Sequence, residues 1–294
     1  MSRALSDLAE AADGFDSARV PASPALRDFL AADHPSNPHD AALELRELAQ
    51  TYLYDGAGAL VLCGLDCAEE AGRRAVVQVT RLLGEPLPQN KEGTLIREVR
   101  DRGASLAERG RVRYSDTRFG GDLHTDGAEA PLPAPEVFTL FCVRQSETGG
   151  SLRYVHVRDL TAALPDSALD VLRRPFHFDR RGDQAEGADP TVRKPVLFVQ
   201  NNRPAITYLR RYIEQGHDHP GVPDLTAEQT AALDALDEAI LACSATAVTG
   251  KLREGELALF DNLSVLHGRT EFTDTPDHRR LLLRTWVRST EKAL

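Results

Sequence analysis

The sequence predicts a β-sandwich or jelly roll with added helices, a mainly β chain of the α+β kind. Three observations predict it. Helical spacing occupies the first third of the chain and one later insert, β-branched and aromatic runs fill the middle, and strand-like runs return near the C-terminus. Strands that bracket a helical insert suit stacked sheets better than a doubly wound parallel sheet, where strands and helices alternate throughout. No internal repeat, low-complexity tract or Pro/Ser linker divides the chain, so residues 1–294 are read as a single domain. Within it, a helical part over about 1–83 packs on a jelly-roll core over 84–294, with a helical insert at about 205–245.

In the N-terminal part, Asn37 followed by Pro38 has the form of an N-cap with proline in the first turn. Leu45, Leu48 and Tyr52 then recur at helical spacing until Asp55-Gly56 interrupts them. A strand is expected over 59–63. Asp66 is placed to cap the next helix, whose Ala75, Val79, Leu82 and Leu83 share one side, and Gly84 ends it. From 84 to 113 the chain is charged and aperiodic, suited to a wall or lid.

The run EVFTLFCVR (136–144) has strand composition, SLRYVHV (151–157) is a second strand, and Gly149-Gly150 marks the turn between them. A short helix is expected within 159–173 and a flexible loop over 180–191. Residues 195–200 are strand-like. Thr226 opens a helix with Gln229 at the capping-box position and Leu233, Leu236 and Ile240 at helical spacing. Strands return at ELALF (256–260) and RLLLRTWV (280–287).

Composition narrows the function. A hydrophobic fraction of 41% is that of an ordinary globular chain, and a formal charge of -10 argues against a nucleic-acid surface, which needs clustered Lys and Arg. No stretch has signal-peptide character or approaches the roughly 20 apolar residues of a membrane span, so a cytoplasmic protein is expected. The four cysteines, Cys63, Cys67, Cys142 and Cys243, are read as small core residues. Cys63 and Cys67 lack the second pair that a zinc site needs.

A mononuclear iron site that keeps positions open is built from two imidazoles and one carboxylate on one face. His-x-Asp supplies two of the three economically, because residues i and i+2 of a strand point the same way. His124-Thr125-Asp126 has that spacing, and so has His177-Phe178-Asp179. The second motif serves as a control: basic pairs flank it, and it reads as an edge strand without a metal.

What separates the first motif is its context, FGGDLHTDGAEAPLPAPEVFTLFCVRQSETGG, then SLRYV, DNLSVLHGRTEF and HRRLLLRTWV. Together with LGEP at 83–86 and YSDT at 114–117, this ordered set resembles the taurine dioxygenase and clavaminate synthase-like superfamily of iron(II)- and 2-oxoglutarate-dependent oxygenases. The resemblance spans about 83–287 and implies a double-stranded β-helix core. It implies that His124, Asp126 and His267 hold Fe(II), and that 2-oxoglutarate and O2 are consumed. Asp261 and Asn262 are assigned to bracing a turn. The remaining histidines, His34, His39, His156, His217, His219 and His278, are read as exposed or structural.

A keto acid that chelates iron must anchor its remote carboxylate, and the forked donors of a guanidinium match two oxygens. Arg280, Leu282 and Arg284 share a strand face, while Arg279 points away. The resemblance favours Arg280 for 2-oxoglutarate, since it follows His267 by thirteen positions, and Arg284 for an acidic group of the substrate; the two roles can be exchanged. Ser151 is a possible cosubstrate contact, although Leu152 stands where relatives often have threonine. Arg269 is read as a structural ion-pair partner.

The implied reaction is hydroxylation of an unactivated C–H bond in a small anionic molecule, an amino acid or derivative, with succinate and CO2 released. Desaturation, epoxidation and ring closure use the same ligands. Halogenation is disfavoured because Asp126 keeps the carboxylate ligand. Substrate contacts are expected from 89–97, 114–117 and 200–211. A zinc hydrolase would leave Arg280 and Arg284 without a purpose and lacks H-E-x-x-H. A non-catalytic metabolite-binding member is the reading from another class.

Overall fold

A computed structural model describes residues 13–36, 38–103, 113–200 and 202–289. The N-terminal part holds strand β1 (Arg19–Pro21), helix α1 (Pro24–Ala31), helix α2 (His39–Ala49), strand β2 (Ala59–Cys63) and helix α3 (Glu69–Leu83). Ser23 caps α1 by accepting from the Leu26 amide. Asn37 lies outside the described residues. α2 widens into a π turn over Gln50–Tyr54, and Leu45, Leu48 and Tyr52 face the core as their spacing predicts. The Asp66 carboxylate accepts from the Ala68 amide, but α3 begins one residue later without a side-chain cap, so the expected cap is displaced.

Two short strands, β3 (Gly84–Leu87) and β4 (Arg97–Val99), occupy the aperiodic stretch, and residues 104–112 of it lie outside the described residues. A Cβ at Gly84 would collide with the Arg288 carbonyl, which is why the helix ends on glycine where the chain turns onto the sheet. There follow β5 (Gly121–His124), β6 (Val137–Arg144), β7 (Thr148–Gly149) and β8 (Leu152–His156). The expected single helix is two, α4 (Val157–Ala163) and α5 (Asp166–Leu172), because Pro165 between them cannot continue the first.

The next strands are β9 (Pro175–Asp179), β10 (Thr191–Pro195), β11 (Leu197–Gln200) and β12 (Arg203–Ile206), two antiparallel pairs. The insert is completed by α6 (Arg210–His217) and α7 (Ala227–Ser244), the latter opened by the reciprocal Thr226–Gln229 capping box. The C-terminal strands are β13 (Val248–Gly250), β14 (Leu257–Asp261), β15 (Val265–Arg269), β16 (Phe272–Thr273) and β17 (Leu281–Ser289).

A mixed seven-stranded sheet runs β1-β2-β14-β6-β17-β3, with β4 also on β17, and a four-stranded antiparallel sheet runs β13-β8-β15-β5. Alternation along β6 shows how they stack. Val137, Phe141 and Val143 join α1–α3 in one core, whereas Phe138, Leu140 and Cys142 join Leu152, Tyr154 and Val265 of the smaller sheet in another. A third core lies between the smaller sheet and α4–α7. The order is therefore helices, large sheet, small sheet, helices. Each fully buried Leu or Phe in these layers contributes roughly 1.5–3 kcal/mol.

Cys142 is buried as expected, but Cys67 is exposed, because it sits in the Asp66–Ala68 turn ahead of α3. No described helix is long and apolar enough to cross a membrane.

Candidate metal centre

The antiparallel register of β15 on β5 sets His267 opposite His124, with ring centroids 4.6 Å apart. Asp126 follows two residues after His124 and returns to the same side, so the ligand atoms of all three lie within 4.8 Å of one another. Thr125 faces the other way and exchanges hydrogen bonds with the Tyr208 backbone at 2.9 and 3.0 Å, docking the motif to the insert. Asn262 clamps the next turn: its Oδ1 accepts from the Asp126 amide at 2.8 Å, and its Nδ2 donates to the carbonyls of Asp126 and Pro135. Gly127 has φ +72°, and a Cβ there would press on the Pro135 ring.

The His124 ring lies 2.7 Å from the Asp122 carbonyl through Nδ1, which assigns the proton to Nδ1 and leaves the Nε2 lone pair for a metal. Burial, reinforced by His124, pushes His267 down to about 3, so it is neutral and able to ligate. Both Asp126 oxygens are fixed, one by Arg284 Nη1 at 2.7 Å and the other by Trp286 Nε1 at 2.8 Å. Burial alone would raise its pKa, but Arg284, the two histidines and Trp286 outweigh it and hold the carboxyl below its usual range. Two imidazoles and one carboxylate fit an iron(II) ion with open positions.

Beside this trio is a cleft of about 520 Å³, partly open to solvent, lined by Phe138, Leu140, Leu152 and Arg280 as well as both histidines. Arg280 is 1% exposed, donates through Nε to Gln145 at 3.1 Å, and has no partner for Nη1. Burial, then the nearby Arg269, pushes it down to about 9. Among the described residues it forms no salt bridge, and its Nη1 is left able to donate to an anion. Among the described residues Arg269 has no ion-pair partner, contrary to expectation; it donates to the carbonyls of Tyr114, Thr117 and Phe119 and so holds that loop against the cleft.

Ser151 is not brought to the cleft. Its amide donates to Thr270 Oγ1, and its neighbour Leu152 supplies the wall. Arg284 does point into the site, but its Nη1 and Nε are engaged by Asp126 and Gln89. A second pocket, open to solvent, lies on the far side of Asp126 and includes Arg113, Glu129, Leu209, Tyr212 and Trp286. Tyr114, Ser115, His124 and Arg284 line both. Of the expected substrate loops, 114–117 and 200–211 thus contribute, Asn201 lying outside the described residues, and Gln89 acts through Arg284.

Sequence reasoning missed Arg113, Glu129 and Trp286. Only Trp286 had a signal, its place two residues beyond Arg284 on one strand face. The control motif forms part of the β9–β10 hairpin, where Asp179 pairs with His219 and His177 Nδ1 meets Thr191. Asp261 and Asn262 brace the turn as expected, Asp261 through Arg203 and Ser264. His156 caps α4, accepting from the Arg158 amide.

Residues 26–286 match the family model described as "Taurine catabolism dioxygenase TauD, TfdA family". The L-asparagine oxygenase of Streptomyces coelicolor is 33% identical over 159 residues, which are 52% of this chain and 43% of that protein, so the alignment spans less than half of the relative. The glutarate 2-hydroxylase of Citrobacter koseri is 26% identical over 249 residues, 81% of this chain and 70% of that protein. Among solved structures, asparagine oxygenase in complex with Fe(II), 2S,3S-3-hydroxyasparagine and succinate superposes with a TM-score of 0.67 at 25% identity, covering 92% of this chain and 93% of that one. The non-heme iron oxygenase OrfP in complex with Fe and alpha-ketoglutaric acid shares the fold, with a TM-score of 0.65 at 17% identity over 93% of this chain and 95% of that one.

Proposed function

The chain belongs to the taurine catabolism dioxygenase TauD, TfdA family, a family of iron(II)- and 2-oxoglutarate-dependent oxygenases, and we propose that it hydroxylates an unactivated C–H bond of an amino acid or amino acid derivative, releasing succinate and CO2. The observation that carries this reading is the convergence of His124, Asp126 and His267 beside a cleft that buries the uncompensated Arg280. In this reading the three side chains hold iron and Arg280 grips the remote carboxylate of 2-oxoglutarate. The stacked sheets are read as a double-stranded β-helix, and residues 1–294 as a single oxygenase domain.

Bound iron supplies the activation of O2, with 2-oxoglutarate as the co-reductant. The chain does the rest. Asp122 and Asn262 hold His124 and Asp126 in ligating orientation, so little ordering remains when the metal enters. The low-dielectric walls of Phe138, Leu140 and Leu152 strengthen the attraction between Arg280 and a carboxylate. The pocket beyond Asp126 receives the substrate, with Arg284 at the boundary between the two ligands.

Anaerobic titration of the protein with Fe(II) and 2-oxoglutarate tests the proposal. A visible metal-to-ligand charge-transfer band, followed by succinate release under air, is the expected result. No band and no succinate would return the site to a zinc hydrolase or a binding module.

A further inference from the structure

We infer that Thr285 is a positioning residue: its hydroxyl, midway along a buried chain from Thr139 to Thr80, fixes the height of β17 and so holds Arg284 and Trp286 on the two oxygens of Asp126. This rests on the functional reading above, in which Asp126 is a metal ligand. Thr139 on β6, Thr285 on β17 and Thr80 on α3 are each no more than 3% exposed. Thr139 and Thr285 are register partners whose hydroxyl oxygens lie 2.7 Å apart. Thr285 in turn lies 2.8 Å from Thr80, which donates to the Val76 carbonyl at 2.6 Å. A hydroxyl carries one proton, so the direction of the chain follows from its end. Thr80 donates to Val76 and accepts from Thr285, and Thr285 accepts from Thr139.

The apolar neighbours of this chain do not set a height. Leu281, Leu283 and Val287 on the same face of β17 share one core with Val76, Phe141 and Leu259, and apolar contacts carry no direction. Alternation is no guide either, since Leu281, Leu282 and Leu283 present leucine to both faces, and the pairing of β17 with β6 already shifts between Leu281 and Leu282. A slide by two residues would preserve the faces and the backbone ladder. It would carry Arg284 and Trp286 about 7 Å from their places and set Leu283 or Val287 against Thr139, whose hydroxyl would then be buried without a partner. Gln89 also grips Arg284, but from the loop after β3, a strand that itself rides on β17. The hydroxyl chain instead refers β17 to β6 and to the helix layer. In the observed register both donors reach Asp126, Arg284 Nη1 at 2.7 Å and Trp286 Nε1 at 2.8 Å. Thr285 stands between them in sequence and faces α3, so it acts on Asp126 through the strand.

Trp286 is the one tryptophan of the chain, so a single indole N–H resonance reports its bond to Asp126 without metal or turnover. Thr285→Val keeps the shape and removes the hydroxyl. It is expected to move that resonance toward the position of a free indole and to weaken Fe(II) binding by about ten-fold in the charge-transfer titration with 2-oxoglutarate. Thr285→Ser keeps the hydroxyl and is expected to match the unaltered protein in both. Val287→Ala opens a cavity in the same core and should lower stability while leaving both readouts unchanged. Unchanged values in Thr285→Val, or changes of equal size in Thr285→Ser or Val287→Ala, would overturn the inference. If Thr285→Val does not fold, Thr80→Val, which removes the acceptor of the Thr285 proton, should move the resonance in the same direction, and no movement would overturn the inference equally. A missing charge-transfer band in the unaltered protein would instead sink the oxygenase reading, with the indole resonance left to decide this one.

Discussion

Arg284 Nη1 lies 2.7 Å from Asp126 Oδ1, and both side chains are almost fully buried. The bond joins a β17 arginine to a carboxylate just past β5, and with the two histidines and Trp286 it holds Asp126 below the usual carboxylate range against the effect of burial. The His124–Asp126–His267 cluster and the two pockets meet at this pair.

Arg284→Gln should therefore leave Asp126 with Trp286 as its remaining side-chain donor. Removing one member of a buried ion pair destabilises by about 3 kcal/mol. Denaturant titration of the metal-free protein should show that loss, and added Fe(II) should recover much of it. Equal losses with and without metal would argue against Asp126 as a ligand.

Arg280→Met should have the opposite sign for stability, because it removes a buried cation that no described carboxylate neutralises. The metal-free variant should be more stable by about 1–2 kcal/mol, with 2-oxoglutarate affinity lower by about 100-fold. Ser151→Ala, whose hydrogen bonds to Thr270 are made by backbone atoms, should change that affinity by less than about two-fold. Both effects are read from the charge-transfer titration and the melting curve.

Asn262→Ala should free the backbone at Asp126 and Pro135 without touching a ligand atom. Loss of such supporting contacts lowers metal affinity by roughly 10–100-fold. Competition with a calibrated chelator measures it, and unchanged affinity would show that the turn holds itself.

His156 is pushed down from 6.5 to about 4, chiefly by burial and then by Arg158. A histidine held neutral in the folded state contributes stability that is present above pH 6.5 and lost as pH falls toward 4, where the unfolded chain binds the extra proton. Allowing for its partial exposure, the loss should be about 2 kcal/mol. His156→Asn keeps an acceptor for the α4 cap and should flatten the stability–pH curve over this interval, as followed by urea unfolding at several pH values.

Much of the molecule was legible because the governing rules are local. β-branched and aromatic composition marked the strands at 136–144 and 280–287, period-two geometry put Arg280 and Arg284 on one strand face, and the Thr226–Gln229 box marked α7. Boundaries shifted where local rules compete, as at Asp66 and Pro165. His-x-Asp and the distal histidine could be proposed together only through the resemblance, since nothing local to His267 points across 143 residues to His124.

The sequence by itself determined which side chains share a strand face and which segments can be strands or helices, because those properties follow from backbone period and propensity. Tertiary structure alone decided the pairing of His267 with His124, the capture of Asp126 by Arg284, the isolation of Arg280 and the bridging of Glu129 and Asp183 by Arg113. Such relationships depend on strand register and on burial, which set the distance and the dielectric between charges far apart in the chain.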